Sequence, residues 1–124
     1  EQARHAYQLE TGIMVCPMVA EDDVHPFISA SFDGISSDLK RVVEIKCGRS
    51  SHKLARASQI PIYYRAQLYQ QMYVANIQEI DYWSFDGTEG ILLTLTRDDQ
   101  FIRELVEKLI DFWHCVTNLT PPED

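Results

Sequence analysis

The chain has 124 residues, of which 45% are hydrophobic and 24% charged, and its net charge is −8 at pH 7. This length predicts a single domain over 1–124 and excludes a protein with two separate cores. No apolar run approaches the length of a membrane span, and the N-terminus has no hydrophobic signal segment. The cysteines Cys16, Cys47 and Cys115 are odd in number and widely spaced, which predicts a reducing cytoplasm rather than a disulfide framework or a metal–thiolate site.

The charge is distributed unevenly along the chain. Between Lys46 and Gln78 there is no Asp or Glu, so this segment carries +5 and the remainder −13. Its cations and its one histidine are Lys46, Arg49, His52, Lys53, Arg56 and Arg65. Salt screens competing charges beyond about 8–10 Å, so a local basic surface on an acidic protein can still bind phosphate. A solvated helix face would give the same pattern.

The first part of the chain predicts one helix and then three strands, at 2–10, 13–20, 28–33 and 42–47. Thr11 and Gly12 end the helix. Pro17 predicts that the first strand is an edge strand or contains a bulge. Gly34 and the polar residues at 36–38 supply a turn, so the second and third strands should pair antiparallel.

The second part of the chain predicts a loop or short basic helix at 48–58 and an amphipathic helix at 62–77, with Ile62 on its apolar flank. Gln67 and Gln71 lie one turn apart on the same side of this helix. A β-hairpin at 80–85 and 91–96 follows, then a helix at 100–116 capped by Asp98 or Asp99, and a polar tail at 118–124. This order predicts an α/β fold with a mixed sheet.

The strand at 42–47 carries two charged residues on one face. Side chains alternate along a strand, so Glu44 and Lys46 share a side while Val43, Ile45 and Cys47 point into a core. Charged residues on an otherwise apolar strand are costly unless they are paired or bind something. A solvent-facing edge strand shows the same alternation, and the pattern alone does not separate the two interpretations.

The strand pairing would bring Asp33 close to Glu44, which suggests a metal site. Hydrolysis of a phosphodiester needs a cation, and Mg²⁺ can be held by one to three carboxylates and a backbone carbonyl such as that of Ile45. Lys46 could orient or deprotonate water or neutralise phosphate, and Gln67 could hold the water or the lysine. Exposed ion pairs of little energetic value remain the alternative.

Three blocks of sequence resemble a known family. They are SFDGI at 31–35, VEIKC at 43–47 and YRAQLYQQMYV at 64–74. The pattern Asp33…Glu44-x-Lys46 resembles the PD-(D/E)xK nuclease motif, and the three blocks in order resemble the phage-type alkaline exonucleases, which include phage lambda exonuclease and the YqaJ-like viral recombinases. The resemblance implies a restriction-endonuclease-like mixed β-sheet flanked by helices.

The resemblance also implies an activity. We expect a magnesium-dependent exonuclease, with Mn²⁺ able to substitute, that digests duplex DNA ends 5′ to 3′ for phage-type recombination. Asp33, Glu44 and the Ile45 carbonyl would bind the metal, Lys46 would be the catalytic lysine, and Gln67 would lie near the active site. A homotrimer, a single-strand annealing protein as partner, and the cytoplasm of a bacterial host for this phage or prophage protein are implied as well.

The chain departs from the family at its N-terminus. The family's N-terminal segment, with an arginine for the 5′-phosphate, is missing from this sequence. A helical glutamate that often joins the metal site would fall just before Glu1, which is the candidate to replace it. We expect DNA phosphates to contact the basic segment through Arg49, His52, Lys53, Arg56 and Arg65. The alternative is a catalytically impaired or truncated nuclease-fold module that binds DNA without cutting it.

Overall fold

A computed structural model describes residues 1–118 and shows one mixed β-sheet with helices on both faces. In chain order the elements are α1 (Gln2–Thr11), β1 (Val15–Glu21), β2 (Ser29–Ser36), β3 (Val42–Lys46), α2 (Arg49–Arg56), α3 (Ile62–Ala75), β4 (Glu79–Phe85), β5 (Gly90–Thr96) and α4 (Asp99–Thr117). The strands lie in the order β1-β2-β3-β4-β5. Only the β3–β4 pair is parallel among these strands, so the predicted α/β fold with a mixed sheet is confirmed.

The predicted tail at 118–124 lies outside the described residues except for Asn118. Within the described part of the chain, no helix is both long enough and apolar enough to cross a lipid bilayer.

The sheet separates two hydrophobic cores. On one face, α3 and α4 pack over β2 and β4 through Phe32, Leu68, Met72, Tyr82 and Ile102. On the other face, α1 packs through buried side chains that include Tyr7, Val15, Val43 and Trp83. Consecutive residues of a strand point to opposite faces. Consequently Val43 faces α1, whereas Glu44 faces α3.

Two predicted features of the N-terminal region are confirmed and one is wrong. Helix α1 ends at Gly12, whose φ of 73° is left-handed, and β1 is an edge strand whose register shifts between Cys16 and Met18. Gly34 was predicted to form a turn, but β2 continues through it. A Cβ atom at Gly34 would lie 2.6 Å from Val15 Cγ2, so glycine is needed here for close packing rather than for a turn.

Two predictions about side-chain burial are also wrong. Cys47 is exposed because β3 ends at Lys46. Ile62, expected on the apolar flank of α3, is 81% exposed at the first residue of that helix. Helix α4 is capped by Asp98, whose side chain accepts a hydrogen bond from the Phe101 backbone, but Ile102 is its only fully buried residue among those described.

A buried carboxylate connects α1 to the sheet. Asp81 on β4 accepts hydrogen bonds from the Tyr7 hydroxyl (2.6 Å), the Arg41 guanidinium (2.7 Å) and the Thr94 hydroxyl (3.3 Å). Burial, followed by the hydrogen bond to Asp81, raises the pKa of Tyr7 far above its usual value. Asp81 is therefore a structural acid whose oxygens are occupied by donors.

Candidate active site

The candidate site lies where β2 and β3 separate. These strands pair only at Gly34–Val43 and Ile35–Val42. Beyond that point the Ile45 backbone N–H donates a hydrogen bond to Asp33 Oδ2 at 2.8 Å. The Asp33 side chain thus takes the place of a main-chain acceptor and is fixed against β3. Asp33 lies close to Glu44 as predicted, because it bonds to the residue next to Glu44 and is one of the groups that raise the pKa of Glu44.

Glu44 is almost completely buried, with 4% of its surface exposed. Burial raises its pKa to about 7, and Asp33 adds to the increase, whereas Gln71 and Lys46 oppose it. Burial disfavours the charged form, and a second carboxylate nearby disfavours it further. Two adjacent carboxylates in this environment form a site where a bound cation would be stabilised.

Lys46 lies between Glu44 and an aromatic ring. Its Nζ is 3.5 Å from Glu44 Oε1 and 4.2 Å from the centroid of the Tyr64 ring, a cation–π arrangement. The side chain is about one-fifth exposed, so its ammonium group can still reach a ligand at the surface. The sequence offered no signal for the role of Tyr64, because a tyrosine on an amphipathic helix is typical of core packing.

Two glutamines of α3 approach the Glu44 carboxylate. Gln67 Nε2 lies 3.4 Å from both Glu44 oxygens, so it contacts the carboxylate rather than Lys46. Gln71 is buried and donates to Glu44 Oε2. Sequence reasoning did not assign Gln71 to the site, although its spacing of one turn from Gln67 was the available signal. Both glutamines line a cavity of about 410 Å³ between α3 and the start of β2.

The donor set fits a hard divalent cation. Asp33 and Glu44 supply adjacent carboxylate oxygens, which Mg²⁺ and Mn²⁺ prefer. Beside them, Gln71 Oε1 is buried without a hydrogen-bond partner among residues 1–118. A buried acceptor of this kind can accept a hydrogen bond from water, and Mg²⁺ usually retains several of its waters.

Glu1 lies away from this pair. It precedes α1, which packs on the opposite face of the sheet from α3. Its exposed side chain lines a cavity of about 320 Å³ that it shares with Cys47 and Phe85, and neither Asp33 nor Glu44 lines that cavity. We therefore leave Glu1 out of the ligand set that we propose.

The predicted DNA-contacting residues fall into two groups. Arg49 and Lys53 are exposed on α2 and line a cavity of about 590 Å³ with Cys47. Arg65 is exposed on α3. Within the described part of the chain, these three cations form no ion pair. They are therefore available to an external anion.

His52 and Arg56 form the second group, and both are engaged within the protein. His52 was expected to contact DNA phosphate, but it is only 3% exposed. Its Nδ1 lies 2.7 Å from Ser84 Oγ, and its Nε2 lies 2.9 Å from Glu89 Oε1. Arg56 Nε donates to the same oxygen at 2.8 Å. The segment at 46–78 contains no Asp or Glu, but Glu89 in the turn between β4 and β5 contacts its residues His52 and Arg56. These contacts fix α2 against the sheet.

A second possible cation site involves the same residues. Ligand atoms of His52, Asp86 and Glu89 all lie within 4.8 Å of one another. However, the Arg56 guanidinium is 2.8 Å from Glu89 and 3.8 Å from Asp86. Asp86 and Glu89 are also exposed, so water as well as this cation offsets their charge, and the cluster needs a metal ion less than the pair that contains the buried Glu44.

Comparisons with known proteins identify the fold and the family. The fold is that of solved alkaline exonuclease structures. Over 85% of this chain and 57% of the other, it is similar to the crystal structure of LHK-Exo in complex with dAMP (26% identity, TM-score 0.76). A second structure, an alkaline exonuclease (LHK-Exo) from Laribacter hongkongensis, shares the fold over 95% and 70% of the two chains (23% identity, TM-score 0.69).

The family follows from the sequence itself. The model of the YqaJ-like viral recombinase domain matches residues 1–78, and the chain belongs to this family. No curated protein matches the chain. The chain spans somewhat more than half of the LHK-Exo chain that was crystallised with dAMP.

Proposed function

We propose that the protein is a metal-dependent exonuclease that hydrolyses phosphodiester bonds at duplex DNA ends. The observation that carries this proposal is the placement of two acids at one point of the sheet: the Ile45 N–H fixes the Asp33 carboxylate against β3, next to the buried Glu44. The relative LHK-Exo is described as an alkaline exonuclease, and one of its structures contains dAMP, a nucleotide of the kind that DNA hydrolysis releases.

The side chains around the pair suggest their roles. Asp33 and Glu44, with the carbonyl of Ile45, would hold Mg²⁺ or Mn²⁺. A cation bound there would neutralise phosphate charge and lower the pKa of a water molecule. Lys46, held between Glu44 and Tyr64, is placed to orient the attacking water or to donate a hydrogen bond to the scissile phosphate. Gln67 supports the orientation of Glu44.

Substrate binding would use the unpaired cations of α2 and α3. Arg49 and Lys53 lie a few residues beyond Lys46, on the helix that directly follows β3, and Arg65 lies on the helix that carries Gln67. Cations without an internal partner can displace the counterions of DNA phosphates. We do not include His52 and Arg56 among these contacts. His52 is already hydrogen-bonded to Ser84 and Glu89, and Arg56 is already hydrogen-bonded to Glu89.

The finer parts of the proposal rest on the family alone. They are digestion from 5′ to 3′, a role in phage-type recombination with a single-strand annealing protein, assembly as a homotrimer, and action in the cytoplasm of a bacterial host. The choice of Mg²⁺ as the physiological ion, with Mn²⁺ as a substitute, belongs with them.

Incubation with end-labelled linear duplex and with covalently closed circular DNA tests the proposal. We expect release of mononucleotides from the linear substrate in Mg²⁺ or Mn²⁺, no cutting of the circle, and no reaction in EDTA. Lys46→Ala should abolish the reaction. Lys108→Ala, which removes an exposed lysine of α4, is the matched control and should retain it. Binding of duplex without cleavage in either metal would contradict the proposal and support a DNA-binding module instead.

A further inference from the structure

Gln71 is a buried polar side chain whose presence the packing of α3 does not explain. It is 1% exposed and lies next to Met72 on the face of the helix that packs against the sheet. Leucine or methionine would fill such a position without a desolvation cost. The presence of an amide at this position must therefore be explained by the hydrogen bonds that the amide makes.

The two halves of this amide have different environments. Its Nε2 donates a hydrogen bond to Glu44 Oε2, whereas its Oε1 has no partner among residues 1–118. The other oxygen of Glu44, Oε1, lies 3.5 Å from Lys46 Nζ. Gln67, one turn earlier and exposed, is 3.4 Å from both oxygens. Gln71 therefore holds the deeper oxygen of the carboxylate, and the outer oxygen is directed toward Lys46.

We infer that Gln71 is a positioning residue that fixes Glu44 through Oε2 and so presents Oε1 to a divalent cation. This inference rests on the proposed function. Residues behind a metal ligand fix its orientation, and their removal typically weakens metal binding by roughly 10- to 100-fold. The unpartnered Gln71 Oε1 also offers an acceptor to a water of the bound cation.

Metal affinity without DNA provides a test that does not depend on activity. Binding of Mn²⁺ is measured by electron paramagnetic resonance for the wild type and for Gln71→Met, which keeps the length of the side chain but removes the amide. We expect the Kd of Gln71→Met to rise roughly 10- to 100-fold, and unfolding in EDTA verifies that the variant is folded under the conditions of the titration. Gln70→Met is the matched control, because Gln70 donates only to the Ser29 carbonyl near the surface, and it should bind like the wild type.

The wild type provides a second measurement that is free of folding effects. In ¹⁵N NMR spectra, the side-chain NH₂ resonances of Gln71 should shift saturably on addition of Mg²⁺, while those of Gln70 should not. An unchanged Kd in Gln71→Met, or Gln71 resonances that do not respond to Mg²⁺, would overturn the role of Gln71 even if the wild type binds metal and cuts DNA. Failure of the wild type to bind either ion would overturn both this inference and the proposed function.

Discussion

Glu44 and Asp81 are two carboxylates that the fold buries to the same extent on neighbouring strands. Glu44 is 4% exposed and faces α3, whereas Asp81 is 5% exposed and faces α1. Asp81 is surrounded by donors from Tyr7, Arg41 and Thr94. Glu44 also has a cation and two amide donors, from Lys46, Gln67 and Gln71, but it lies beside a second carboxylate as well. Burial alone does not separate a structural acid from a functional one; the charge of the neighbouring groups does.

The difference has an energetic meaning. A buried carboxylate with a guanidinium and two hydroxyl donors stabilises the fold, because each donor offsets part of its desolvation. At Glu44 the effects of burial and of the second carboxylate outweigh those of Lys46 and Gln71, as the raised pKa shows, so the ionised form destabilises the fold unless a further cation is added. The region around Asp81 thus maintains the architecture, while the region around Glu44 is unfavourable until a ligand binds.

Substitution of Glu44 should have the largest effect on activity. Glu44→Gln is expected to reduce DNA cleavage by at least about 10³-fold, which corresponds to roughly 4 kcal/mol of transition-state stabilisation. The free energy of unfolding should not fall, because the substitution removes a like-charge contact. Single-turnover cleavage and urea unfolding in EDTA measure the two effects. A clearly less stable Glu44→Gln protein would show that Glu44, like Asp81, is a structural acid.

Substitution of Asp81 should have the opposite effect. Asp81→Asn leaves Tyr7 and Arg41 without their charged acceptor and should lower the free energy of unfolding by about 2–4 kcal/mol. Metal affinity per folded molecule should change little, because the two carboxylates lie on opposite faces of the sheet. Urea unfolding and Mn²⁺ titration test these outcomes. Loss of metal binding in a folded Asp81→Asn protein would mean that the two regions are not independent.

The raised pKa of Glu44 should also make the stability of the protein depend on pH. The pKa of Glu44 is raised from 4.5 to about 7, so between these values the folded state keeps a proton that the unfolded state has lost. The free energy of unfolding therefore falls as pH rises from about 4.5 to 7, by on the order of 3 kcal/mol, and the loss persists above 7. Urea unfolding in EDTA between pH 5 and 8 should show this decline relative to Glu44→Gln. Parallel curves for the two proteins would contradict it.

The distinction between paired and unpaired charges applies to the basic residues too, with a smaller expected effect. Arg49→Ala or Lys53→Ala should each weaken duplex binding several-fold and reduce the slope of log K against log salt by about 0.9. Arg56→Ala is the comparison, because its guanidinium already contacts Glu89, and it should leave the slope nearly unchanged. Fluorescence anisotropy over a salt series measures the slopes. An equal reduction of the slope in all three variants would contradict the distinction between paired and unpaired cations.

The sequence predicted local features well and long-range ones less well. Alternation along β3 was sufficient to place Glu44 and Lys46 on one face, and Gly12 was sufficient to end α1. The contacts of His52 were not predictable, because Ser84 and Glu89 are more than 30 residues away in sequence.

Burial at element ends was equally difficult to predict. Ile62 has the residue type and the spacing of a core position, yet it is exposed, because periodicity does not indicate how far a neighbouring element extends. Gln71 shows the reverse case. A glutamine is typical of a surface position, but Gln71 is buried because the carboxylate that accepts its hydrogen bond comes from another element, β3.

Anomalous scattering from Mn²⁺ tests the central claim most directly. Crystals of the protein grown or soaked with Mn²⁺ should show an anomalous peak between the carboxylates of Asp33 and Glu44, and Glu44→Gln should remove it. A peak only at the cluster of His52, Asp86 and Glu89 would contradict the claim, as would the absence of any peak at the Asp33–Glu44 pair at saturating Mn²⁺.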